Sequence, residues 1–255
     1  MANERVAIEI RGSRIGGGAF GLIGAAPRGL PSEARLKIAQ ELADSGATML
    51  HDGSASQTDP VFEPQAKRLE LLGEMRRLTG LPVAGGLMDP AQLEGLIEVV
   101  DVVQVGAFQM QNYALLKELG RIDRAVLLRR GAANTLDELL SAAEYVLSGG
   151  NERVMLCERG IRTFERAYEA TLDFAAIPIL KERSSLPVLL DPSVARNHHH
   201  REALSVAAAA GGADGIVVEL ARDVGPFCER VLGAAAISSV ARDPHRALGD
   251  RLPQA

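Results

Sequence analysis

Tryptophan does not occur in this chain, aromatic residues make up only 4% of it, and cysteine is confined to Cys157 and Cys228. Two cysteines are too few to frame a disulfide-stapled fold. Stability must come from packing, and 47% hydrophobic content with 26 glycines describes a core of small aliphatic side chains. Long apolar runs are missing too, since nothing approaches the roughly 20 residues of a membrane span. The opening stretch Met1-Ala2-Asn3-Glu4-Arg5 lacks the basic and apolar regions of a secretion signal. We therefore expect a reducing, cytoplasmic location and no membrane partner. Positive charge is also in deficit. A formal net charge of −5 argues against broad nucleic-acid binding, which needs a basic surface, so any arginine cluster is a local device.

What is present is a rhythm of short apolar segment, loop and helix. Residues 6 to 10, a turn at Gly12-Ser13 and Ile15 beyond it predict a small hairpin that precedes the repeating units and caps one end of them. Strands are then expected at residues 20–24, 48–50, 82–84, 102–105, 125–128, 154–157, 187–190 and 215–219, each a short apolar run of the buried kind. Helices fill the gaps. Residues 32 to 45 place Leu36, Ala39 and Ala43 on one face, and residues 64 to 78 do the same with Leu71, Met75 and Leu78. Residues 135 to 147 open on the capping box Thr135-x-x-Glu138 and close at Gly149-Gly150. Alternation of this kind, without a long linker or a change in composition, predicts a single (β/α)8 TIM barrel over residues 19–255, preceded by a hairpin and cap over residues 1–18. A doubly wound open sheet would need a glycine fingerprint after the first strand, and Ile15-Gly16-Gly17-Gly18 precedes it.

In a barrel of this class the loops after the strands form the active face. The candidates there are Pro27, Arg28, His51, Asp52, Gly85, Gly86, Phe108, Gln109, Arg129, Arg130, residues 158–162, residues 191–200 and Glu219. Two successive strands end in arginine pairs, in Leu127-Leu128-Arg129-Arg130-Gly131 and in Cys157-Glu158-Arg159-Gly160-Ile161-Arg162. Guanidinium forks at the ends of buried strands suit a phosphate or carboxylate, and two clusters side by side point to one anion pocket. The competing reading is a set of mouth salt bridges to Glu158, Asp191 and Glu219. His198-His199-His200 offers a metal or proton-transfer site, or simply a solvated loop after the seventh strand. Glu219 is a general base or a counter-charge for Arg129.

Ile15-Gly16-Gly17-Gly18-Ala19-Phe20, Gln104-Val105-Gly106-Ala107, Leu127-Leu128-Arg129-Arg130-Gly131, the octapeptide from Cys157 to Phe164, Asp191-Pro192-Ser193 and Gly212-Ala213-Asp214-Gly215 succeed one another in unbroken order. Together they resemble the type I 3-deoxy-D-arabino-heptulosonate 7-phosphate (DAHP) synthases, in the short branch that also includes 3-deoxy-octulosonate 8-phosphate synthase. The resemblance implies a (β/α)8 barrel, usually a dimer or tetramer. It also implies a metal-assisted, aldol-like condensation of phosphoenolpyruvate with erythrose 4-phosphate at the start of the shikimate pathway. In that family Cys157 is a packed residue rather than an activated thiol.

The chain departs from the family pattern at the chemistry. Pro27 stands where the metal-binding cysteine is expected, Val194 where the histidine after Asp-Pro-Ser is expected, and Ala221 where a histidine follows the retained Glu219. The aspartate ligand has no counterpart in residues 234–240. The Lys-Pro-Arg-Thr-Ser phosphate loop corresponds to Ser56-Gln57-Thr58-Asp59-Pro60, and Phe108 replaces an arginine. We expect no bound metal and no cofactor. Glu219 and His51 are the expected acid/base residues, and Arg129, Arg130, Arg159, Arg162 and Asp191 the expected substrate-binding ones. The expected function is a repurposed, metal-independent enzyme acting on an anionic carboxylated metabolite, a keto acid or a shikimate-derived compound, in specialised biosynthesis. The alternative is a non-catalytic barrel that binds a metabolite or a shikimate-pathway enzyme. A homo-oligomer is expected in either case.

Overall fold

The computed structural model describes residues 5 to 53, 63 to 87, 89 to 195 and 198 to 242. It begins with an antiparallel hairpin, β1 (Ala7–Ile10) and β2 (Ser13–Gly16). The turn is Arg11-Gly12, one residue earlier than the sequence suggests, because both residues take positive φ (47° and 81°), as the tightest hairpin connection requires. Ile8, Ile10 and Ile15 are at most 7% exposed and pack against Ile23, Met49, Val102, Leu127, Met155, Leu189 and Val217. The hairpin is thus a plug for the bottom of the barrel. Its seat depends on Gly21, where a β-carbon would lie 2.8 Å from Ile15.

Eight parallel strands close the barrel: β3 (Gly21–Ala25), β4 (Met49–His51), β5 (Val83–Leu87), β6 (Val102–Val105), β7 (Ala125–Arg129), β8 (Val154–Glu158), β9 (Val188–Leu190) and β10 (Gly215–Glu219), with β10 pairing β3. Two of these match the expected strands residue for residue, and the others shift by a few residues at an end. The outer layer consists of α1 (Ser32–Asp44), α2 (Gln65–Thr79), α3 (Leu93–Ile97), α4 (Tyr113–Leu119), α5 (Leu136–Leu147), α6 (Ala176–Arg183), α7 (His198–Ala210) and α8 (Val224–Arg242). The expected capping box is formed: Thr135 Oγ1 accepts from the Glu138 amide, and Glu138 accepts from the Thr135 amide at 2.7 Å. Such a cap stabilises a helix start by about 1 kcal/mol.

Two expectations about helices are corrected. Leu78 is 51% exposed rather than part of the buried stripe of α2. That stripe is Arg68, Leu71, Leu72 and Met75, because the helix turns a charged residue, Arg68, towards the mouth. His198 begins α7 instead of lying in a loop.

Candidate functional site

Alternation along the strands decides which side chains enter the barrel. Met49, Ala84, Val102, Leu127, Met155, Cys157, Leu189 and Val217 belong to the interior layer. Residues two further along the same strands point the same way. This places His51 after Met49, Gln104 after Val102, Arg129 after Leu127, Arg159 after Cys157 and Asp191 after Leu189, as a polar ring above the apolar interior.

On the β6 to β9 side of this ring Arg129 is the organiser. Its Nη1 donates to Asp191 Oδ2 at 2.9 Å and its Nη2 to Gln104 Oε1 at 2.7 Å, with all three side chains buried. Burial alone would raise the Asp191 pKa, but the charges of Arg129 and Arg159 and the Ser193 amide hold it below the usual carboxylate range. A guanidinium has only donors, so Gln104 must turn its oxygen to Arg129. Its Nε2 is left buried with no hydrogen-bond partner. The Nε of Arg159 is likewise buried and unbonded. Buried donors without acceptors cost about 1–3 kcal/mol each, and an anion or carbonyl oxygen placed among them would supply what they lack.

Arg130 faces away from this group. Its guanidinium holds Glu158 Oε2 and Asp173 Oδ2, both at 2.9 Å, and the Asn134 carbonyl. Burial works against its charge, yet the hydrogen bonds to Asp173 and Glu158 raise its pKa. Glu158 is fully buried and also accepts from the Gly160 amide at 2.6 Å. This trio fixes the loop that carries Arg159, so Arg130 positions the site rather than lining it. Arg162, expected in the same pocket, is exposed further along that loop and does not join the ring.

The β3 to β5 side is closed by charge. Asp52 accepts from Arg68 Nη2 at 2.6 Å, from Arg28 Nη2 at 3.3 Å and from the Gly86 amide at 3.3 Å. Arg68 also donates to the Gly86 carbonyl, and Arg28 to the Asp52 and Gly53 carbonyls. Arg35 reaches in from α1 to Glu63 at 2.9 Å and to the Asp52 carbonyl at 3.1 Å. Arg28, Arg35, Arg68 and Asp52 are each at most 7% exposed.

His51 was expected to act in acid/base transfer, and the structure assigns it elsewhere. The Gly53 amide donates to Nδ1 at 3.1 Å, which places the ring proton on Nε2, 3.3 Å from the Val218 carbonyl. Both nitrogens are occupied by backbone, and the imidazole ties β4 to β10 across the intervening β3. Burial, reinforced by the positive charge of Arg129, lowers its pKa to about 4, so it is a neutral brace. Cys157 is inert for a similar reason, since burial pushes its thiol up to about 12. Glu219 ends β10 half-buried, and its backbone carbonyl accepts from Arg201. His199 and His200 are exposed on α7.

The divalent ion implied by the family resemblance does not fit the residues at these positions. Val194 contributes an aliphatic wall to a cavity, Pro27 has no donor side chain, and Glu219 stands without the other expected ligands. Among the described residues no three His, Cys, Asp or Glu side chains are grouped to hold a metal. The stretch matching the phosphate loop, residues 56–60, lies outside the described residues. Among the described residues no helix is long and apolar enough to cross a membrane.

Sequence reasoning names Arg28 and Asp52 only as strand-end positions, and it misses Gln104, Arg68 and Asp173 as parts of the site. Gln104 carries a readable signal, a single polar residue inside Val102-Val103-Gln104-Val105.

The comparisons with known proteins agree with this architecture. Residues 27–225 match the model of the DAHP synthetase I family. A phospho-2-dehydro-3-deoxyheptonate aldolase of Thermotoga maritima is 37% identical over 221 residues, covering 85% of this chain and 65% of the relative. A 2-dehydro-3-deoxyphosphooctonate aldolase of Geobacter sulfurreducens is 32% identical, covering 61% of this chain and 60% of the relative. The chain therefore spans just under two thirds of the length of these curated relatives. Among solved structures, the Thermotoga maritima DAHP synthase superposes with a TM-score of 0.82 at 34% identity, covering 96% of this chain and 75% of that one. Its truncated form superposes with a TM-score of 0.81 and is covered to 94%.

Proposed function

The chain belongs to the DAHP synthetase I family, and from that premise we propose that it is a divergent member that binds an anionic, carboxylated metabolite between β6 and β9. On this reading it acts without the family's divalent ion. The observation that carries the proposal is the pair of buried, unbonded donors, Gln104 Nε2 and Arg159 Nε, beside an arginine already balanced by Asp191. An orphaned donor is tolerated where a ligand completes it. The carboxylate of a keto acid or of a shikimate-derived compound fits between them, with Glu219 at the next strand end as the proton-transfer group. Carbon–carbon bond formation or cleavage, lyase or transferase chemistry in specialised biosynthesis, is the class this arrangement favours. Condensation to a heptulosonate phosphate is not expected, since of the expected metal ligands the sequence keeps Glu219 alone, and it lacks the phosphate-loop lysine and arginine.

Calorimetric titration with pyruvate and with phosphoenolpyruvate tests the proposal. Binding should be lost on Arg159→Ala and kept on Arg162→Ala. Binding that ignores Arg159 would refute it.

A non-catalytic reading is favoured by one observation. His51 has both nitrogens committed to backbone, which leaves Glu219 as the remaining acid/base candidate of the two expected. In this form the barrel binds the same class of metabolite and regulates, alone or through a shikimate-pathway enzyme. Turnover of any keto acid that binds, lost in Glu219→Gln, decides for the enzyme. We place the protein in the cytoplasm as a homo-oligomer, in which a neighbouring copy would cover the exposed Phe108 and Phe164.

A further inference from the structure

Phe164 is 97% exposed, more than any other large apolar side chain among the described residues. A single ring in water needs no explanation by itself, but this one stands at the rim of a hole. The hole is a cavity of about 460 Å³ between the loop after β8 and the start of α7, with Leu172, Val194 and Leu204 among its walls. The loop sets how close the two lie. Thr163, the residue before Phe164, has its hydroxyl 2.8 Å from that of Thr171, and Thr171 lines the cavity, as does Tyr168 four residues beyond Phe164. Knob and hole therefore share one surface.

The ring does not turn into its own cavity, because the loop is pinned. Ile161 and Thr171 exchange backbone hydrogen bonds at 2.8 and 2.9 Å, and the Glu165 carboxylate accepts from the amides of Arg166 and Ala167 at 2.7 and 2.8 Å. The Glu165 amide donates to the Thr163 hydroxyl at 3.3 Å, so both neighbours of Phe164 are tied within the loop. The apolar surface continues to Phe108, 69% exposed after β6. Contacts run between them: the Arg162 amide donates to the Ala132 carbonyl at 2.7 Å, and a β-carbon on Gly131 would lie 3.2 Å from the Ala107 carbonyl. In a chain with six phenylalanines, three tyrosines and no tryptophan, Phe108, Phe164 and Tyr168 stand exposed along this one stretch of the mouth. Aromatic residues gather at interfaces.

We propose that the barrel pairs with a second copy of itself through this face, with Phe164 of each copy seated in the cavity of the other. A two-fold contact needs one self-complementary surface, on which the first residue meets the second and the second meets the first. An outward ring beside an unfilled apolar hole is such a surface. The lining holds no lysine, arginine, aspartate or glutamate among the described residues, so the entering ring meets no ion that would have to be stripped of water. A loop pinned beforehand also loses little freedom on docking. The inference deepens the homo-oligomer reading above and does not depend on the anion site.

Sedimentation equilibrium on the whole chain tests it. The parent protein should self-associate, and Phe164→Ala, which changes a side chain left in water by its own barrel, should weaken association at least about tenfold, as loss of an interface hot spot does. Ala203→Trp fills the cavity from an exposed position on α7 and should weaken it similarly. Ala203→Met is a milder filling that repeats the test if tryptophan disturbs the helix. The deciding arm mixes the knob variant with the cavity variant. Either variant alone has no intact pairing of ring and cavity, whereas a mixed pair has one, so the mixture should associate at least about tenfold more tightly than its components. A mixture no tighter than its components overturns the inference, since the ring and the cavity would then act within one chain. Association of the parent that neither variant weakens overturns it too, while leaving a homo-oligomer that uses another face. A parent protein that stays monomeric overturns both.

Discussion

Around β3, β4 and β5 the barrel mouth holds Arg28, Arg35, Arg68, Asp52 and Glu63, and around β6 to β9 it holds Gln104, Arg129, Arg159 and Asp191. The first set opposes three arginines to two carboxylates and the second two arginines to one, so each keeps one positive charge in excess. Their hydrogen bonding separates them. In the first set Asp52 collects two guanidinium groups and an amide, and backbone carbonyls take most of the remaining arginine hydrogens. Its unbonded nitrogen, Arg35 Nε, belongs to a side chain that enters from α1 rather than from a strand. In the second set the unbonded donors project from the strands and the loop into the barrel. Similar charge thus closes on itself as a structural plug on one side and leaves buried donors unmet on the other, the feature on which the anion-binding proposal rests.

The largest effect that would test this contrast is expected at Asp52. Asp52→Ala leaves Arg28 and Arg68 buried against each other without their shared carboxylate. Breaking a buried pair in this way costs about 3–5 kcal/mol, measurable as a drop in the urea unfolding free energy. A loss under about 1 kcal/mol would mean that the plug is solvated and that the two sides do not differ as described.

His51 supplies the next effect. Its folded pKa of about 4 lies below the ordinary value of 6.5, so the unfolded chain takes up the proton first. The brace therefore stabilises fully above about pH 6.5, and its contribution is lost as pH falls towards 4, by up to about 3 kcal/mol. The difference in stability between the parent protein and His51→Asn should shrink over that window. A difference that stays constant from pH 7 to pH 4.5 would remove the neutral-brace assignment.

These two side chains also show where the sequence was legible. Parallel barrel strands are buried on both faces, so residues 102–105 and 215–219 read as short apolar runs and emerge as β6 and β10. The Thr135 and Glu138 box is a local hydrogen-bond pattern within four residues and was visible for that reason. The brace of His51 was not. Its acceptor is the carbonyl of Val218, and no side-chain pattern reports which backbone group a ring will meet across the barrel. The Asp52 cluster draws arginines from a loop and from two helices, at sequence distances that carry no motif. The paired arginines at Arg129-Arg130 read as one unit in the sequence, yet successive residues of a strand face opposite sides, and their partners differ accordingly.

On the open side the predicted effects fall on binding more than on folding. Arg159→Ala removes a charge-assisted contact worth about 1.5–3 kcal/mol, so keto-acid affinity should fall by roughly 10- to 100-fold. The unfolding free energy should change by less than about 1 kcal/mol, since the side chain is only half-buried. A large stability loss with unchanged affinity would turn Arg159 into a second plug residue and erase the contrast.

The smallest effect is expected at Gln104, and it is the most discriminating. In the unliganded barrel its Oε1 accepts from Arg129 at 2.7 Å, while its Nε2 is buried without a partner. Gln104→Leu removes both ends together. The lost acceptor destabilises by about 1–3 kcal/mol because Arg129 keeps a buried hydrogen, and removal of the orphaned amide returns a similar amount. The net change in stability should lie within about 1 kcal/mol of zero. On the anion-binding proposal, ligand affinity should in contrast fall about tenfold, because the donor proposed to complete the site is gone. Gln104→Glu separates the two ends. A carboxylate keeps the contact to Arg129 and strengthens it, so the fold should gain stability, while the added negative charge should repel the ligand and reduce binding below that of the leucine variant. Thermal unfolding and calorimetry on the two variants give four signs. A leucine variant that loses both stability and affinity would make Gln104 a structural partner of Arg129 alone, and the β6 to β9 side would join the plug.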